Sequence, residues 1–143
     1  TFLYRCAETL GVDMIELLTG ENPHLTGYTV IKQGAGLPIK RRKSFEYYHL
    51  AANFKNKLAE PFLVKAPYHE EEQNIPIHLS THEGQEFDYI LKGSMRFVHE
   101  NHVEELTAGD SVFYDSSRGH GMIATGGEEC LFLAVILKPK ETK

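Results

Sequence analysis

The chain has 143 residues, with 15 Lys and Arg against 20 Asp and Glu for a formal net charge of −5, and 41% of it is hydrophobic. That size suits one globular domain with a small appendage, and the acidic balance argues against an extended nucleic-acid surface. The longest apolar run, Leu131–Leu137, is too short to cross a bilayer, no signal peptide is visible, and Cys6 and Cys130 lack disulfide-framework or zinc-knuckle spacing. The expected setting is therefore a reducing cytoplasm, with no membrane partner.

The first 25 residues have helical periodicity. Leu3, Cys6, Ala7 and Leu10 recur at i, i+3, i+4 and i+7, and Gly11 is a natural stop. A second short helix follows, with Asp13 as cap, Glu16 at its third position and Gly20 at its end. Two such helices bury little alone and must pack on something.

From Tyr28 onward the signals are β. "YTVIKQ", "SFEYYHLAA", "PFLVK", "IPIHLST", "EFDYILKG", "SMRFVHE", "HVEELTAG", "SVFYD" and "CLFLAVILK" read as strands, with Gly, Asn, Asp or Pro between most of them. Many short strands without helical stretches predict a sandwich or barrel. Residues 1–25 are thus read as a helical piece and 26–143 as a β-barrel. The basic run "KRRK", Lys40–Lys43, reads as a solvated loop or a protected strand edge, and "HEEEQN", His69–Asn74, as an acidic surface loop.

Alternation puts His78, Ser80 and His82 on one strand face, and the bend Glu83-Gly84-Gln85 brings Glu86 round near His82. His120 follows a Gly-Asp turn, a strand and a polar loop. His82, Glu86 and His120 converging inside a barrel would form a two-His, one-carboxylate set with open coordination positions, suited to Fe(II), Zn, Mn or Ni. His78 lies about 13 Å along the strand from His82, too far to share its ion. Tyr47, His49, His78, Tyr89 and Tyr114 are candidate ligand contacts, with ordinary half-buried strand positions as the alternative. Arg118 could meet an anionic ligand at the barrel mouth or stand in solvent. His99 and His102 flank "EN", which reads as a hairpin tip and predicts exposure.

Spacing now points to a family. Three residues separate His82 from Glu86, six separate Glu86 from Gly93, and ten separate Gly109 from His120. The chain resembles the cupin superfamily, and the resemblance implies a double-stranded β-helix, or jelly-roll barrel, over most of Tyr28–Lys138. Ser80 stands where the family's first motif has a histidine, so one of four usual metal ligands is missing. Asp115 and Ser117 stand where many members have Pro and Gly, and Ala124 where Asn is common.

The N-terminal "TFLYRCAETLGVDMIELLTGENP" resembles the last two helices of the helix-turn-helix domain in XRE-type regulators, which are often joined to a cupin. That resemblance implies a truncated regulator whose barrel senses a small-molecule effector, contacts DNA only through the missing N-terminal helices, and pairs as a homodimer. An alternative from another class is a mononuclear metal-dependent enzyme of the hydroxypropylphosphonate epoxidase kind, using His82, Glu86 and His120. The implied ligand is small and polar or anionic, with Ser80 among its contacts.

Overall fold

The structure, a computed structural model, describes residues 27–39 and 44–139. The N-terminal helical piece and "KRRK" lie outside the described residues. Nine strands follow in order: β1 (Leu37–Ile39), β2 (Glu46–His49), β3 (Ala59–Ala66), β4 (Gln85–Lys92), β5 (Ser94–His99), β6 (His102–Thr107), β7 (Ser111–Asp115), β8 (His120–Thr125) and β9 (Cys130–Leu137). They form a six-stranded sheet, β1-β2-β3-β9-β4-β7, and a three-stranded sheet, β6-β5-β8, with every pair antiparallel. This is the expected jelly-roll barrel.

Period-two alternation sets which residues face inward. Strand β9 reads buried, half-buried, buried along its whole length, and β3 does the reverse. Cross-strand pairing then stacks the inner residues of the large sheet into rows. One row is Tyr47, Val64, Phe132 and Ile90; the next is His49, Phe62, Ala134, Asp88 and Val112; the third is Glu60, Ile136, Glu86 and Tyr114. The interior thus changes from apolar at one end to strongly polar at the other. Full burial of Phe62, Phe132, Ile90 and Met95 anchors the apolar end, each side chain contributing roughly 1.5–3 kcal/mol.

Two expected strands are not formed. "YTVIKQ" has no ladder partner among the described residues, and Tyr28 and Val30 are exposed, so β propensity alone did not make it a strand. "IPIHLST" runs beside β8 but contributes only an isolated bridge, Ser80 to His120. The acidic loop after β3 closes as a single 3-10 turn, Glu70–Glu72. Cys130 is buried outside any disulfide, and burial pushes its thiol up to about 11.

Two glycines hold turns that no other residue fits well. Gly93 joins β4 to β5 with φ of +80°, and an added Cβ would overlap the Glu129 carbonyl oxygen. Gly84, at φ +101°, would likewise strike the Leu137 carbonyl. Left-handed backbone disfavours a side chain, and the overlap adds to that cost. Replacing Gly93 with Ala is expected to cost about 2 kcal/mol or more. Urea unfolding of the parent and variant measures it.

Candidate metal centre

Glu86 reaches the interior because it lies on the inward phase of β4, opposite Tyr114 of β7. His82 precedes the Gly84 bend, and its backbone N–H donates to the Ser116 carbonyl at 2.9 Å. His120 opens β8 and exchanges two backbone hydrogen bonds with Ser80, of 2.9 and 3.0 Å. Gly121 lets the 77–78 backbone pass close against β8, since a Cβ there would overlap the His78 carbonyl oxygen. Both expected motif halves are thereby tied together by main-chain bonds.

The three side chains are buried, with 7% exposure at His82, 7% at Glu86 and 2% at His120. One ligand atom from each lies within 4.8 Å of the other two. His82 Nε2 is 3.1 Å from Glu86 Oε1, and a carboxylate only accepts, so Nε2–H donates. The His82 and His120 rings meet edge to face, with centroids 5.1 Å apart. His120 Nδ1–H donates to the Arg118 carbonyl at 2.9 Å, which leaves Nε2 as the lone-pair nitrogen of that neutral tautomer. This donor set fits a divalent ion: two imidazoles and a carboxylate, buried and mutually facing, with backbone support for one imidazole.

The loop aiming His120 is held from several sides. His99 Nε2–H donates to the Asp115 carbonyl at 3.0 Å, and Glu100 N–H donates to Gly119 O at 2.7 Å. Arg118 is solvent-exposed and pairs with Glu100 at 3.1 Å. Asp115 Oδ1 accepts from Ser117 N at 3.0 Å and from Ser117 Oγ at 2.5 Å. Asp and Ser, in place of the family's usual Pro and Gly, therefore build a hydrogen-bonded turn of their own.

The remaining candidates divide. Tyr114 is buried, with its ring 4.8 Å from that of His120 and 4.9 Å from that of Phe97. Burial pushes its hydroxyl well above the ordinary value, and Glu86 raises it further by charge and a polar contact that falls short of hydrogen-bond geometry. Ser80 touches the site through its backbone bridge to His120. His49 is buried but engaged elsewhere: its Nδ1 accepts from Ala51 N–H at 2.9 Å, and Nε2–H donates to Glu60 at 2.6 Å. Tyr47 packs against Phe45 and Phe62 and lines a separate hollow of about 310 Å³ beside β1 and β2 that contains none of the triad. Tyr89 and His78 are exposed, because Tyr89 is on the outward phase of β4 and His78 precedes the bridge.

One expectation is corrected in part. His99 and His102 do face each other across the β5–β6 hairpin tip, and His102 is exposed, but His99 is half-buried: it also pairs with His120 across β5 and β8, and its ring lies 5.9 Å from that of Tyr114. The alternation Met95, Phe97, His99 carries the inward phase to the strand's end, and that was the signal available in the sequence.

Asp115 is held below the usual carboxylate value, chiefly by the Ser117 hydroxyl and then by its backbone N–H. A depressed folded value stabilises the loop above the unfolded pKa, and the contribution is lost as pH falls through the folded one. Ser117→Ala is expected to move the Asp115 titration back up toward 3.8, the ordinary value, as followed by NMR.

Comparison with known proteins bears on the fold. Residues 67–136 match the cupin domain model. No curated protein matches the chain. Among solved structures, the Fe(II) form of HppE superposes with a TM-score of 0.66 at 20% identity, covering 94% of this chain and 74% of that one. Hydroxypropylphosphonic acid epoxidase from S. wedmorenis, in complex with fosfomycin, gives 0.65 at 21%, over 94% and 73%. An HTH_3 family transcriptional regulator from Vibrio cholerae gives 0.59 at 17%, over 96% and 71%. At these identities the likeness is one of fold. Residues 67–136 thus lie in a cupin domain, and the chain carries the fold of the cupin superfamily.

Proposed function

We propose that the barrel is a metal-dependent small-molecule-binding domain, with His82, Glu86 and His120 as the protein ligands. The observation that carries this reading is the buried His-Glu-His cluster, whose ligand atoms lie within 4.8 Å of one another. Burying such groups without a shared role costs stability, and three protein ligands leave open positions for a small molecule. A bound divalent ion would supply Lewis acidity at those positions. The chain's own residues exclude water by burial, set the His120 tautomer through Arg118 O, and present Tyr114 alongside.

In this reading the domain is the effector-sensing part of an XRE-type regulator in the cytoplasm. Binding in the barrel is coupled to DNA affinity through a helix-turn-helix domain of the kind whose closing segment residues 1–25 resemble in sequence. The support is the likeness of "TFLYRCAETLGVDMIELLTGENP" to that domain and the regulator among the similar folds. A second copy of the chain would cover the outward face of the large sheet, where Tyr89, Leu91 and Phe113 are exposed. A second reading, a mononuclear metal enzyme, is favoured by the same open ligand set and by the epoxidase among the similar folds. Oxygen uptake by the metal-loaded protein supports the enzyme; effector-dependent DNA binding by the full-length protein supports the regulator.

Metal analysis after reconstitution with Fe(II), Zn or Mn is expected to find about one ion per chain in the parent and little in His82→Ala. Equal, low content in both proteins contradicts the assignment. Protons compete with an ion for the imidazole lone pairs and the Glu86 carboxylate, so affinity is expected to fall as pH is lowered. Isothermal titration at several pH values measures this.

A further inference from the structure

Two hydroxyls beside the triad have no evident part in the fold. Ser116 is fully buried and Tyr114 is 6% exposed. Neither Ser116 Oγ nor the Tyr114 phenol oxygen has a partner within hydrogen-bond geometry. An unpaired buried hydroxyl costs roughly 1–3 kcal/mol, so two together are unusual. Both belong to the inward phase Val112, Tyr114, Ser116, which runs off the end of β7.

Their neighbours are the proposed ligands. Tyr114 is opposite Glu86 in the β4–β7 pairing, and its ring lies against His120. The Ser116 carbonyl accepts from His82 N–H, and its own N–H donates to Gly84 O at 3.2 Å. The backbone of Ser116 is therefore fully used in holding the His82 bend, while its side chain is not. A residue needed only for that bend would not need a hydroxyl.

We propose that the Tyr114 and Ser116 hydroxyls are donors to a small oxygen-bearing acid, a carboxylate or 2-hydroxy acid, bound at the open positions of the site. A cation and two O–H groups all seek electron pairs, and carboxylate and hydroxyl oxygens supply them at adjacent positions. The inference rests on the metal reading and adds the ligand's chemical class and a serine that motif spacing did not single out.

Glycolate is the probe for the test. The protein is loaded with Co(II) and titrated while its visible absorption is followed, for the parent, Ser116→Ala and Tyr114→Phe. Glycolate is expected to bind each variant about tenfold more weakly than the parent, the equivalent of one lost hydrogen bond of about 1.4 kcal/mol. Ethylenediamine, which offers the ion nitrogen ligands and no oxygen, is expected to bind all three alike. The Co(II) affinity of Ser116→Ala is expected to be unchanged and its thermal midpoint not lowered, since that hydroxyl makes no protein hydrogen bond. Equal glycolate affinity in all three Co(II)-loaded proteins overturns this inference alone, and so does a lowered midpoint in Ser116→Ala, which would give the hydroxyl a structural role. A parent that takes up no Co(II) overturns the metal reading, and this inference with it.

Discussion

The hydrogen bond from His120 Nδ1 to the Arg118 carbonyl ties the site to the rest of the molecule. It fixes which ring nitrogen carries the proton, and with it the atom that His120 can offer beside His82 and Glu86. That carbonyl is positioned in turn by a loop held to the β5–β6 hairpin through His99 and Glu100, and to itself through Asp115 and Ser117. The exposed Arg118–Glu100 pair contributes little energy, as surface pairs generally do. The buried backbone bonds from Ser80 and Ser116 carry the geometry.

A gradient of polarity along the barrel makes such a site affordable. At one end Phe132, Ile90 and Met95 exclude water and supply the stability of the fold. One row along, His49 and Asp88 enter, and the next row brings Glu60, Glu86 and Tyr114. The His49–Glu60 bond spans two of these rows, and Lys138 Nζ lies 3.6 Å from the other Glu60 oxygen. The His82–Glu86–His120 cluster differs because its donors converge on one another. Two buried groupings of similar composition therefore differ: one fastens strands, and the other is the cluster proposed to hold an ion.

Local rules made much of this legible in the sequence. The spacing of His82, Glu86 and Gly93 depends on a bend and a strand, both governed by short-range geometry, and so does the Gly109–His120 spacing. What stayed hidden depends on pairing between distant segments. Tyr28–Gln33 alternates like a strand yet has no ladder partner among the described residues, and His99, at the β5–β6 hairpin tip, reads as exposed until β8 is placed beside it. Ser116 gave no signal at all, because its significance comes from Gly84 and His82 across the β4–β7 pairing. For Tyr89 the sequence leaves two readings open, because an aromatic on a strand says nothing of its face until the register is known.

The most direct measurement is X-ray absorption at the metal edge of the iron- or zinc-loaded protein, which reports the ligand atoms themselves. The expected first shell has two imidazole nitrogens and a carboxylate oxygen from the protein, completed by light atoms from solvent, and one imidazole contribution is lost in His120→Ala. A first shell unchanged by that substitution would place the ion elsewhere and contradict the account.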